Sequence, residues 1–255
     1  MSEGQTLLVR GVAFAAAALA LGLPATAAAQ QQPPQQQQRQ PSVPGLYAAS
    51  SGATRYSTPD GAVRFVFDRS VGRVALVRFE GDPEVHVLRP VMAAAGAEIY
   101  RTDDGDVSLR VASNGAITVY TRNLSTGAPA SEEGRVAPIA PEAVAFAEMQ
   151  QRFQQLEARA RRNVGQTVTF ILPARVPPGA GGIVLDAAER AAQGLAAAPL
   201  TNIRRVVITL GPAPAVARRG DQLFIQVAPH LGYAGRPSSI TIRNVVTGQV
   251  QGPEE

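Results

Sequence analysis

The sequence predicts a β-rich α+β protein, with an N-terminal antiparallel meander or small barrel, one long helix, and a small α+β sandwich at its C-terminal end. Three observations predict it. Short alternating segments broken by Asp, Gly, Asn and Pro fill 62–126; apolar residues recur at three and four residues over 141–162; beyond that, strand-like and helix-like segments are mixed. The chain then divides into a leader (1–29), a Gln/Pro-rich tether (30–60), a β unit (61–126), a loop and helix (127–165), and a small α+β unit packed on the first (166–255).

The leader carries Arg10, an uncharged run over 11–23 and the small residues Ala27, Ala28 and Ala29, the layout of a Sec-type signal peptide cleaved near Ala29. A membrane anchor is the weaker reading, because the run is Ala-dominated, is interrupted by Pro24, and falls short of the roughly 20 apolar residues a spanning helix needs. The product is expected in the periplasm or outside the cell, with no stable membrane span after cleavage. The chain has no Cys, so neither a lipid-anchored lipoprotein nor a disulfide is available. Stability rests on burial alone.

All 24 basic residues are Arg, and the formal net charge is +4. The isoelectric point near 10.1 reflects the scarcity of groups titrating between acid and strongly basic pH. The arginines are scattered, so no nucleic-acid partner is predicted. Residues 30–45 are low-complexity and too poor in apolar side chains to fold, and their prolines stiffen the tether.

Six strands are predicted in the β unit, over 62–68, 74–79, 85–88, 97–101, 107–112 and 116–122. Asn114-Gly115 between alternating segments is a hairpin signal, and Asp103 to Asp106 and Gly81-Asp82-Pro83 are turn chemistry. So many short strands are expected to curl, because a flat sheet leaves an apolar face bare. A Pro/Gly-broken connection follows over 127–140. The long helix begins at Pro141, with Phe146, Met149, Phe153, Leu156 and Ala160 on the face expected to lie on the sheet. In the last unit, strands are expected over 167–172, 205–210, 222–228 and 240–246, a helix over 186–198 capped by Asp186, and a long loop over 229–239.

The residue types exclude much chemistry. Without Lys there is no Schiff base, Ser–Lys hydrolase or P-loop; without Cys there is no thiol catalysis or thiolate metal site. No G-x-S-x-G or H-E-x-x-H motif occurs. Asp103, Asp104 and Asp106 lack calcium-loop spacing. Glu80, Asp82 and Glu84 cluster on one turn, whereas glycoside hydrolysis needs two acids facing across a cleft. His86 has the setting of an ordinary cross-strand residue. No catalytic residue, metal site or cofactor is predicted.

The candidate binding residues lie in the last loop: His230, Tyr233, Arg236, Ser238 and Ser239. A guanidinium beside two hydroxyls suits a carboxylate or phosphate. The structural alternative is that Arg236 pins the loop to an acid of the first unit while Ser238 opens the last strand.

Asp68-Arg69-Ser70, Ala75-Leu76, Phe79-Glu80-Gly81, Pro83-Glu84-Val85, Tyr100 with Asp104-Gly105, Leu109-Arg110 and Gly232-Tyr233-Ala234-Gly235-Arg236-Pro237-Ser238-Ser239 together resemble an uncharacterised family of exported alphaproteobacterial proteins with a domain of unknown function. The resemblance covers about 61–246. It implies a shared periplasmic fold but transfers no activity, cofactor or site. The expectation is a non-catalytic envelope protein that binds or scaffolds another periplasmic component, a protein or a glycan. The alternative is a carboxylate-dependent enzyme acting on peptidoglycan or another glycan.

Overall fold

The computed structural model describes residues 52–93, 96–198 and 201–249; the expected leader and the Gln/Pro-rich segment lie outside them. The first part of the described chain is a closed antiparallel barrel of β1 (Ala53–Ser57), β2 (Arg64–Asp68), β3 (Ala75–Phe79), β4 (Val85–Met92), β5 (Glu98–Arg101), β6 (Val107–Val111), β7 (Ile117–Thr121) and β8 (Leu124–Val136). Closure depends on the length of β8. Its first half pairs with β7, and its second half crosses to β1 with a register shift between Arg55 and Tyr56. Tyr56, Phe65, Phe67, Val77, Leu88, Leu109 and Val119 fill the interior, and closure leaves no strand edge unpaired.

The barrel predicted from the sequence is present, with two strands more than expected. β1 lies inside the stretch assigned to the tether, so the folded chain starts before residue 61. β8 lies in the stretch expected as a broken connection. Its sequence, LSTGAPASEEGRV, has no apolar alternation. It is a strand because both neighbours supply hydrogen-bond partners.

An internal repeat underlies the barrel. Gly-Ala-x-x-Tyr-x-Thr-x-Asp-Gly-x-Val occurs at 52–63 and again at 96–107. The two turns match bond for bond: the Thr58 and Thr102 hydroxyls donate to Asp60 and Asp104, and the same hydroxyls accept from the amides of Val63 and Val107 at 3.1 and 3.2 Å. Gly61 and Gly105 take the positive φ (67° and 73°) that each turn demands. Two four-stranded halves, β1–β4 and β5–β8, thus open on the same hairpin.

The second part has its own core. Helix α1 (Phe146–Val164), β9 (Thr169–Ile171), α2 (Gly181–Ala196), β10 (Arg205–Leu210), β11 (Ala215–Arg219), β12 (Gln222–Val227), a 3-10 segment (Pro229–Gly235) and α3 (Ser239–Thr247) follow in order. The sheet order is β11-β12-β10-β9; β10 runs parallel to β9 and β12, and β11 antiparallel to β12. The α2 crossover makes the β9–β10 pairing possible. Met149, Phe153, Leu156 and Ala160 of α1 pack into this second core beside α2 rather than on the barrel, as had been expected.

Helix starts also differ from the predicted ones. The backbone of Glu142 and Val144 lies against α2, where a Cβ on Gly182 or Gly181 would come within 1.9 or 2.5 Å of their carbonyl oxygens. These glycines, read as loop, begin α2 so that an extended segment can cross them. That same crossing delays α1 from Pro141 to Phe146. Residues 240–246, rich in β-branched side chains, are helical rather than a strand: Ser238 caps α3 by accepting from the Thr241 amide at 3.1 Å, and Ile242 and Val246, one turn apart, are buried in the second core. Packing overrides the local strand preference.

Candidate functional site

The barrel meets the α/β part through a small apolar patch and a buried charged cluster. Outward-facing Val66, Leu76 and Val85 pack with Ile139 and Tyr233. Asp68, fully buried, accepts from the Ile139 amide at 2.7 Å and so fixes the chain leaving β8.

Glu84, in the β3–β4 turn, is 3 % exposed, and Arg190 and Arg236 are 1 % and 4 % exposed. Glu84 Oε1 accepts from the Ser239 amide at 3.2 Å, and its other oxygen accepts from the Ser239 hydroxyl. Both guanidinium groups stand 3.6 Å from the carboxylate. Arg236 also donates to Asp186 and to the Val85 carbonyl, the latter at 2.7 Å. Arg190, 3.6 Å from Asp186, donates to Gln193 at 2.7 Å. Asp186, expected as a helix cap, is inside α2 and faces this cluster instead. Buried charges are tolerated only when paired, and each of these has an opposite charge within 3.6 Å, although Arg190 Nε has no hydrogen-bond partner among the described residues.

The Gly232 to Ser239 motif is the device that builds the cluster. Gly232 takes φ 54°, ψ −136°. A Cβ on Gly235 would lie 1.9 Å from the Ala228 carbonyl oxygen, in a close approach tied by the Ala228 amide donating to Gly235 at 2.7 Å. Tyr233 reaches the Ala140 carbonyl at 3.4 Å, and its ring lies under Arg236, 5.7 Å away. Ser238 then caps α3, while Ser239 binds Glu84.

Two clefts flank the cluster and share Glu84, His86 and Ile240. The smaller, about 180 Å³, runs along the outer flank of β4, between Val87 and Arg89 on one side and Val216, Pro237 and Ser238 on the other. The larger, about 410 Å³, opens at the barrel mouth formed by the β3–β4, β5–β6 and β7–β8 turns and roofed by α2 and α3. His86 shares the inward face of β4 with Leu88 and stands at this mouth. Its ring meets Phe79 edge-on at 5.6 Å, and its Nε2 is 3.0 Å from Asp82 Oδ2. Burial pushes the Asp82 carboxyl up, but the His86 hydrogen bond, the Glu84 amide and the nearby charges of His86 and Arg190 outweigh it and hold the carboxyl below the usual range.

Of the residues singled out from the sequence, Arg236 and Ser239 are buried in the cluster, Ser238 borders the smaller cleft, Tyr233 is half-buried beside Arg236, and His230 is exposed. Sequence reasoning missed the mouth of the barrel, because its lining comes from three turns and two helices far apart in the chain. Asp82 and His86, four apart across a turn, were the available signal. Among the described residues no group of three acids or histidines is placed to hold a metal ion, and no helix is long and apolar enough to cross a membrane.

No curated protein and no solved structure matches the chain. The family model described as Domain of unknown function (DUF4908) matches residues 30–246. The chain therefore belongs to that family, whose matched span takes in the whole barrel and all of the α/β part through Val246.

Proposed function

We propose that this protein is a non-catalytic, exported envelope protein that binds another periplasmic component at the mouth of its barrel. Export rests on the leader-like 1–29 and the Gln/Pro-rich stretch behind it, features that suit a folded part held off by a tether, and on the resemblance to exported alphaproteobacterial proteins.

One observation carries the binding reading: the acids at the mouth are committed to structure. Glu84 is held between two guanidinium groups and Ser239, and Asp82 is held low by His86. A glycan-cleaving carboxylate enzyme needs a carboxyl kept protonated, with its pKa raised. Asp82 is tuned in the opposite direction. Mouths of β-barrels are favoured ligand sites, and a cleft of about 410 Å³ falls in the range that holds small molecules.

The test is a thermal-shift screen of the purified protein against glycans, peptidoglycan fragments and anions, since a ligand that binds only the folded state raises the midpoint. A raised midpoint without turnover supports binding. Release of cleaved glycan would establish the enzyme reading instead, and no shift together with no envelope partner in a pull-down would remove the binding reading. N-terminal sequencing of protein recovered from cells should begin near Gln30; a chain retaining Met1 would remove the export part.

A further inference from the structure

The larger cleft carries one cation without an acid. Around the two clefts Arg89 pairs with Asp103 at 2.9 Å, Arg122 with Asp106 at 2.7 Å, and Arg236 with Glu84 and Asp186. Arg243 differs. Among the described residues no carboxylate pairs with it; its Nε and Nη2 both donate to the side-chain oxygen of its neighbour Asn244, at 3.3 and 3.1 Å. That contact occupies one side of the guanidinium and leaves its Nη1/Nη2 end as an open fork. The residue is half-buried in the wall of the cleft, on a helix fixed by the Ser238 cap and by buried Ile242.

We infer that the barrel mouth takes a sugar bearing a single carboxylate, with that carboxylate on the Arg243 fork. The inference rests on the binding reading of the same cleft. A planar carboxylate matches the guanidinium end bidentately. A phosphate dianion suits the cleft less, because one uncompensated guanidinium stands against Asp82 and Asp106, and a second negative charge would face those acids. The rest of the lining fits sugar hydroxyls. Asn123 and Thr121 offer donors and acceptors; the Gln193 amide is oriented by Arg190 bonding its oxygen, so its NH2 is the group left to donate. Phe79, which packs on Phe65 and His86, adds apolar lining at the edge of the mouth for the carbon side of a sugar ring.

Isothermal titration of the purified full chain tests this, with N-acetylmuramic acid and glucuronic acid as probes, N-acetylglucosamine and glucose as neutral counterparts, and an acetylated dipeptide acid. Both acidic sugars are expected to bind about 10-fold or more tightly than the neutral ones, the margin of a charge-assisted hydrogen-bonded pair. R243Q should erase that margin, while R159Q, on the exposed face of α1, should retain it. Circular dichroism should show R243Q folded, since among the described residues the side chain hydrogen-bonds only to Asn244 and carries no ion pair.

Preference for one acidic sugar over the other identifies the source of the carboxylate and supports the inference. Neutral sugars binding as tightly as acidic ones, unchanged binding in R243Q, or binding of the dipeptide acid alone would overturn it while leaving the cleft a binding site. If no sugar of either kind binds but the broader thermal-shift screen or the pull-down finds another ligand or partner, the inference falls and the binding reading stands; if screen and pull-down are also silent, both fall.

Discussion

The carboxylate of Glu84, in a turn at the barrel rim, and the guanidinium of Arg236, in the segment before the last helix, lie 3.6 Å apart in the protein interior. Both are almost wholly buried. The contact joins the barrel to the α/β part, and Arg190, Asp186 and Ser239 complete it. Removing one member of a buried pair leaves the other charge uncompensated, at a cost of about 3–5 kcal/mol. E84A should lose stability on that scale in urea denaturation, and a loss under about 1 kcal/mol would show that water or another group substitutes for the carboxylate.

Arg236 directs all three guanidinium nitrogens at protein acceptors: Asp186, the Val85 and Pro237 carbonyls, and Glu84. A lysine ammonium cannot span these directions. R236K should therefore lower the melting temperature despite keeping the charge, and an unchanged value would show that charge alone holds the junction.

Gly235 has no space for a side chain. G235A would force the Ala228 carbonyl aside and break the approach that delivers Arg236, with an expected loss of about 1–3 kcal/mol, the usual scale of overpacking. Gly232, with open space around its Cβ position, sits at φ 54°, ψ −136°, outside the left-handed helical region that Asn tolerates, so G232N should cost about 1–3 kcal/mol through backbone strain and displace no neighbour. Thermal unfolding of G235A and G232N measures both losses.

The repeated turns predict paired effects. Thr58 and Thr102 make the same bonds at the same depth of burial, so T58V and T102V should each leave an amide unsatisfied and each cost roughly 1–3 kcal/mol. Similar losses in both would reflect two equivalent halves. A large effect in one and none in the other would mean that the halves no longer contribute alike.

Asp82 gives a pH prediction. Its carboxyl is lowered in the folded state, so its contribution is present above the unfolded value of about 4 and is lost as pH falls from there through the lower folded value. The native protein should lose urea resistance on acidification below about pH 4, and D82N, which lacks the titrating group, should lose less over the same window. His86 and Arg190 are the charged groups acting on this carboxyl, so H86Q should also flatten the dependence. Parallel curves for the native protein and D82N would show that Asp82 does not contribute.

How much of this was legible depends on the range of the interaction. The hairpin turns could be read directly, because Asn114-Gly115 and Asp104-Gly105 set their geometry with their own atoms: Ala116 and Asp106 donate back to the side chains two residues earlier. The alternation of Phe65 and Phe67 was enough for a curled sheet. The repeat at 52–63 and 96–107 was also present in the sequence and went unread, since its first copy lay in a stretch assigned to the tether.

What the sequence by itself determined was therefore local: an antiparallel barrel-like unit, a long amphipathic helix, turns, and the absence of thiol and amine chemistry. What only the tertiary structure decided was wherever a partner distant in the chain supplies the energy. β8 is a strand because β7 and β1 both bond to it; residues 240–246 are helical because Ile242 and Val246 bury on one side; Gly181 and Gly182 are helical because another segment's backbone crosses them. The burial of Arg236 against Glu84 and the acid-free Arg243 at the barrel mouth belong to the same class. Local propensities carry no information about which distant group will stand opposite a side chain. That is set only when the barrel closes and α2 and α3 come down over its mouth.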